Sequence, residues 1–234
     1  MRLLSLTFLQ VYNILMLWIC IDFKEAIKKE KFLVANSFYF WAKIVNLDLK
    51  IKNEGENMKK VFIVSSSLRA GSNSEILARE FEKGAKEAGN EVEFLSLKNF
   101  DLKFCIGCLA CQKIGRCVLN DDVKNVIEKV SESEILVFAT PVYYYGMCGQ
   151  LKTFLDRLNP LYIKNNKFKK VYLLGACADT DENAFERTEI AVDGWTCCFE
   201  GANREKSLLA TRTDAPNSVS EKFKLEAYEL GKSL

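Results

Sequence analysis

The sequence predicts an α/β domain built on a doubly wound, five-stranded parallel sheet with helices on both faces. Five short apolar runs, rich in β-branched residues, are separated by stretches whose apolar residues recur at helical spacing. Polar or glycine-bearing loops close several of the runs. Strands that alternate with helices pair in parallel, and a parallel sheet is covered on both faces by its crossovers.

Lys60–Ser66 (KVFIVSS) is the first strand. From Ser74, the residues Ile76, Leu77, Phe81, Ala85 and Ala88 mark one helical face until Gly89 and Asn90 stop the pattern. Glu91–Leu97 alternates like a strand, and a cysteine-rich loop follows. A helix then runs through Val123, Val126, Ile127 and Val130. Glu134–Ala139 is a buried third strand and Gly149–Leu158 a helix. Lys170–Gly175 is the fourth strand, Asn183–Phe199 a helix, Ser207–Arg212 the fifth strand and Ser220–Lys232 a closing helix. Ligands in such sheets sit at the carboxyl ends of the strands, near the switch in strand order.

Composition narrows the chemistry. The 234 residues carry 33 basic and 31 acidic side chains, nine cysteines and no histidine. Ser-His-Asp and Cys-His catalysis, His₂Cys₂ zinc sites and an imidazole base are therefore excluded. A net charge of +2 gives no argument for a nucleic-acid partner.

The chain changes character at Met58. Leu3–Ile21 is almost continuously apolar and long enough to cross a bilayer, and lysines follow it at positions 24, 28, 29 and 31. No small-residue cleavage site follows that would mark a secretory signal. A competing reading begins the protein at Met58. Asn53–Asn57 (NEGEN) back-translates to a purine-rich tract resembling a ribosome-binding site, which makes residues 1–57 a non-homologous leader and a mis-assigned start. Residues 58–234 are then the working domain, with 25 basic and 25 acidic residues. Without the leader the chain is expected to avoid membranes and to be cytoplasmic, where its thiols stay reduced.

Two loops carry ligand signals. Ser65–Ser74 (SSSLRAGSNS) joins the first strand to the first helix. Its hydroxyls, its guanidinium and the helix amides favour an anion, usually phosphate. It is neither a dinucleotide fingerprint nor a Walker loop, and a plain polar loop with a helix cap is the alternative. Thr140–Gln150 (TPVYYYGMCGQ) closes the third strand. Three tyrosines beside Gly146 and Gly149 could frame a flat aromatic ligand, or pack on a neighbour.

Taken together in this order, SSSLRAGSNSEIL and TPVYYYG with QLKTFLDR (Gln150–Arg157) resemble the flavodoxin-like NAD(P)H-dependent FMN reductases, in the branch that includes the iron–sulfur flavoproteins. The resemblance covers about residues 58–234. It implies the flavodoxin-like strand order 2-1-3-4-5 and an FMN whose phosphate meets Ser65, Ser67, Arg69, Ser72, Asn73 and Ser74. The flavin ring would meet Pro141, Val142, Tyr143, Tyr144, Tyr145 and Gly146. Leu68 stands where such proteins usually carry proline. The loop after the fourth strand, Gly175–Thr180, commonly completes the flavin pocket in that family, but it has drifted and no residue is carried over firmly.

The cysteine loop reads Cys105-x₂-Cys108-x₂-Cys111-x₅-Cys117. Four thiolates at this spacing can wrap a [4Fe–4S] core, as the motif does in the iron–sulfur flavoproteins. A Cys₄ zinc site is a second reading and packed or redox-active thiols without metal a third. Cys148, Cys177 and the adjacent Cys197 and Cys198 read as small buried residues.

The resemblance implies an FMN-dependent oxidoreductase with NAD(P)H as co-substrate and a small acceptor such as flavin or quinone. With a cluster, a ferredoxin-type carrier becomes a partner. Flavin supplies the reactive chemistry, so no catalytic side chain is required. Relatives self-associate, which implies a homodimer or homotetramer. A non-enzymatic FMN carrier and a zinc-stabilised interaction protein are the alternatives.

Overall fold

In the computed structural model of the protein, the described residues are 58–234. The segment 1–57, with the apolar run 3–21 and the question of the start at Met58, lies outside them.

The elements run β1 (Lys60–Ser65), α1 (Asn73–Glu87), β2 (Glu91–Ser96), a single helical turn α2 (Cys111–Ile114), α3 (Ile127–Glu132), β3 (Ile135–Tyr143), β4 (Gly146–Met147), α4 (Gly149–Arg157), β5 (Lys170–Ala176), α5 (Glu186–Thr196), β6 (Asn203–Ala210) and α6 (Glu221–Lys232). The sheet order is β2-β1-β3-β5-β6, all parallel, with β4 added antiparallel to the end of β3. Leaving out β4, this is the expected 2-1-3-4-5 arrangement.

The differences from expectation lie at element ends. β3 runs four residues past Ala139, because Val142 and Tyr143 pair with Met147 and Gly146 in a tight hairpin. β6 begins at Asn203 rather than Ser207. Its first residues, Asn-Arg-Glu-Lys, are polar because an edge strand tolerates solvent on its open side. The expected helices 183–199 and 123–130 each open with a 3₁₀ turn, Glu182–Phe185 and Asp122–Asn125, capped by the Asp181 and Asp121 side chains.

Alternation along β1 divides the core. Val61 and Ile63 face Leu77, Phe81 and Ala227 from α1 and α6, while Phe62 and Val64 face Leu151, Phe154 and Val192 from α4 and α5. Both faces are therefore dry, as a parallel sheet requires. α1 and α6 touch backbone to backbone. A Cβ on Gly84 would lie 2.0 Å from the Tyr228 carbonyl oxygen, and one on Gly231 would lie 2.1 Å from that of Phe81.

Candidate functional site

β1 and β3 are neighbours in register, with Ser65 opposite Ala139, so the loops that leave them start side by side at the carboxyl edge. β2 lies on one side of β1 and β3 on the other, which makes this the switch point of the sheet. The junction is tied by Ser66, whose amide and hydroxyl both donate to the Ala139 carbonyl at 2.9 and 2.8 Å. The Cys148 thiol, just before α4, donates to the Ser66 hydroxyl at 3.1 Å.

Ser65, Ser67, Ser72, Asn73 and Ser74 are all buried. Ser72 caps α1 by accepting from the Glu75 amide, and its oxygen lies 3.1 Å from that of Ser74. The first amides of α1 have no partner within the helix and point into the loop. The Ser65 hydroxyl is buried and has no hydrogen-bond partner. A buried polar group without a partner is costly, and an anion seated over this loop would supply one.

Two of the expected phosphate ligands also reach the loop after β6. Arg69 donates to the Asp214 carbonyl at 2.9 Å. The Asn73 amide donates to the Thr213 and Ala215 carbonyls at 2.9 and 2.8 Å, and its oxygen accepts from the Ser218 amide. Both side chains fasten the loop after β6 against the serine loop. That long-range contact has no local sequence signal.

In the aromatic loop, Pro141 and Val142 are half-buried, and Tyr143, Tyr144 and Tyr145 are exposed, Tyr144 almost completely. Tyr144 and Tyr145 occupy the two central positions of the β3–β4 turn with φ of +50° and +62°. Asn and Gly usually fill such positions, so two tyrosines there hold strained backbone at a ligand loop. The turn presents their rings outward instead of into the core.

The loop after β5 contributes what the sequence left unassigned. The Tyr145 hydroxyl donates to Asp179 at 2.9 Å and joins the two loops. Asp179 also accepts from the Thr180 and Asp181 amides. The Asp181 amide, the Tyr145 hydroxyl and the Thr180 amide hold its carboxyl below the usual range. That carboxylate in turn pushes the Tyr145 phenol above its ordinary value.

The cysteine loop is held in two halves. Cys111, on α2, is buried and accepts from the Asn159 side-chain amide at 3.0 Å; Cys117 is half-buried and accepts from Arg157 at 3.4 Å. Cys105 and Cys108 are exposed. Gly107, Leu109 and Gly115 take positive φ, the backbone of tight turns along the loop. Among the described residues no three cysteine or carboxylate groups are arranged to hold a metal. The donor set nonetheless suits a thiophilic metal, and N–H donors onto sulfur are typical of the surroundings of cluster-bound thiolates. Cys148 and Cys177 are buried as expected, whereas Cys197 and Cys198 are exposed, contrary to the expectation for small apolar residues. They lie in the turn that follows α5.

Two open grooves of about 540 and 300 Å³ lie at the opposite, amino edge of the sheet. Surface Lys and Glu side chains line much of both, and none of the ligand-loop residues reaches them.

The family model described as NADPH-dependent FMN reductase matches residues 59–189, more than half of the chain. An iron–sulfur flavoprotein of Methanocaldococcus jannaschii is 39% identical over 104 residues, 44% of this chain and 54% of that protein. An iron–sulfur flavoprotein of Methanosarcina thermophila is 30% identical over 137 residues, 58% of this chain and 72% of that protein. The chain spans about half the length of most of the curated relatives it matches. Among solved structures, an NAD(P)H:quinone oxidoreductase from Methanothermobacter marburgensis superposes with a TM-score of 0.64 at 18% identity, covering 75% of this chain and 96% of that one.

Proposed function

This chain belongs to the NADPH-dependent FMN reductase family, in the branch shared with the iron–sulfur flavoproteins, and from that premise we propose that it is an FMN-dependent oxidoreductase. In this reading it passes electrons between NAD(P)H or a ferredoxin-type carrier and a small acceptor such as flavin or quinone. The observation that carries the reading is the meeting of the serine and tyrosine loops at the switch point, with Ser65 in register with Ala139.

FMN, when bound, supplies hydride and single-electron chemistry, so the residues need only bind, orient and expose it. Ser65, Ser67, Ser72 and Ser74 with the first amides of α1 are the phosphate cradle. Arg69 and Asn73 shape that cradle by holding the loop after β6. Pro141, Val142 and the Tyr143–Gly146 turn would frame the ring, and Asp179 holds Tyr145 within that turn. The Gly146 amide offers a donor that could favour negative charge on the ring's polar edge. No side-chain acid or base is required.

Cys105, Cys108, Cys111 and Cys117 would hold a [4Fe–4S] cluster, which would supply a one-electron relay. The N–H donors on Cys111 and Cys117 support this, as do the names of the relatives. The exposed tyrosines, with Phe104, Ile106 and Leu109 on the cysteine loop, support a homodimer or homotetramer, because large apolar surfaces seldom stay in water.

Anaerobic purification of the full chain, with flavin extraction, iron, sulfide and zinc analysis and NAD(P)H oxidation, tests this. FMN at one per chain, four irons and acceptor-dependent NAD(P)H oxidation are expected. A folded, colourless protein would overturn the flavin reading. Zinc in place of iron would overturn the cluster, and tight FMN without NAD(P)H oxidation would leave a carrier.

A further inference from the structure

Cys197 and Cys198 follow the end of α5 and take no part in the flavin or cluster reading. Both are exposed. The Cys197 thiol donates to the Gly194 carbonyl at 3.3 Å and the Cys198 thiol to the same oxygen at 3.5 Å. Side chains at a helix C-terminus lean back over the preceding turn, so residues three and four beyond a carbonyl can both reach it. Sharing one acceptor places the two sulfurs beside each other.

The backbone beneath them is fixed. The Cys197 amide donates to Asp193 and the Cys198 amide to Trp195. Trp195 is wedged among Phe138, Phe168 and Phe199, with ring centroids 5.5, 5.9 and 4.7 Å away. The dithiol therefore stands on a rigid platform, with little ordering left for a ligand that bridges it. Partial burial of its sulfur, and then the neighbouring Cys197, push the Cys198 thiol above its ordinary value.

We propose that Cys197 and Cys198 form a chelating site for a thiophilic centre that binds two sulfurs at once, the class represented by trivalent arsenicals. The single acceptor they share and the packed turn below them carry the inference. With phenylarsine oxide the reaction balances without an oxidant. Two As–S bonds form, the arsenic–oxygen bond breaks, and both thiol protons leave with that oxygen as water. Gly194 loses two donors and its carbonyl turns to solvent.

The second As–S bond closes within one molecule, so the chelate should exceed a single thiol by about 100-fold or more. The full chain is titrated with phenylarsine oxide, and its cysteines are then alkylated and mapped by peptide mass. This separates the site from Cys105–Cys117, which could also take up arsenic when no metal is bound. One equivalent should protect Cys197 and Cys198 together. Cys197→Ser and Cys198→Ser should each lower the affinity at this site about 100-fold and leave the remaining cysteine open to alkylation. Persistent alkylation of both residues under excess probe would overturn the proposal. So would single-serine variants that bind as tightly as the parent, since no chelate would then exist. Neither outcome depends on FMN or iron content.

Discussion

Arg157, at the end of α4, and Asp121, at the base of the cysteine loop, form a two-point ion pair from which water is excluded: their side chains are 1% and 0% exposed. Asp121 also accepts from the Lys103 and Val123 amides, while Arg157 donates to the Lys103 carbonyl and to Cys117. The pair ties both ends of the cysteine loop to the helix that follows the tyrosine loop. A buried pair is weak evidence for stability against an apolar substitute, but breaking one half of it is costly.

Arg157→Met leaves Asp121 buried without its partner and should cost about 3–5 kcal/mol. Urea unfolding of the variant against the parent measures it. A loss below about 1 kcal/mol would mean that water replaces the guanidinium at little cost.

The same pair sets an acid limit. Burial raises the Asp121 carboxyl, but Arg157 and the Lys103 and Val123 amides outweigh it and hold the group below its ordinary value near 3.8. The folded value is depressed, so this stabilisation is complete above the ordinary value and disappears as pH falls through the lower folded one. Unfolding free energies measured downward from pH ~5 should fall less steeply in Asp121→Asn than in the parent. Parallel curves would remove Asp121 from the acid response.

Ser65→Ala deletes a buried hydroxyl that has no partner in the protein alone. The ligand-free variant should be as stable as the parent or more so, whereas FMN affinity should fall about tenfold, the value of one hydrogen bond to a charged group. Thermal melts with and without FMN separate the two effects, and unchanged affinity would take Ser65 out of the cradle.

Asp179→Asn removes the charge that pushes the Tyr145 phenol up. One tyrosine should then ionise at lower pH in a near-ultraviolet absorbance titration, and Tyr145→Phe should abolish that component. Bound FMN should be released faster from both variants, because the turn loses its tie to the loop after β5. Identical titrations of parent and Asp179→Asn would dissolve the pairing.

Gly84→Ala should destabilise, although alanine is the better helix former by about 1 kcal/mol. Its Cβ would meet the Tyr228 carbonyl at 2.0 Å, so α1 and α6 must separate, costing about 1–3 kcal/mol. A melting temperature above the parent's would show that the helices give way freely.

Much of the framework was legible in the chain itself. Val61–Val64, Leu136–Phe138 and Val171–Leu174 are continuous apolar runs because strands buried on both faces need no alternation. Apolar residues at helical spacing, such as Leu77, Phe81 and Ala85, mark the crossovers between them, and together these fix the parallel sheet and the edge where ligands sit. The start of β6 carries no strand signal, because its edge position allows charged residues.

What local sequence cannot carry is contact between residues far apart in the chain. The family motif marks Arg69 and Asn73, and only folding brings both onto the loop after β6, some 140 residues away. Asp179 and Asn159 entered the candidate sites only because β5 and the segment after α4 bring them beside Tyr145 and Cys111. The exposed Cys197–Cys198 pair follows the same logic. Residue type alone favours burial for cysteine, and only the end of α5 decides which side of the chain meets water. Hydrophobic pattern repeats every two or four residues and is written locally, whereas hydrogen-bond partners are chosen by tertiary packing after the strands have aligned.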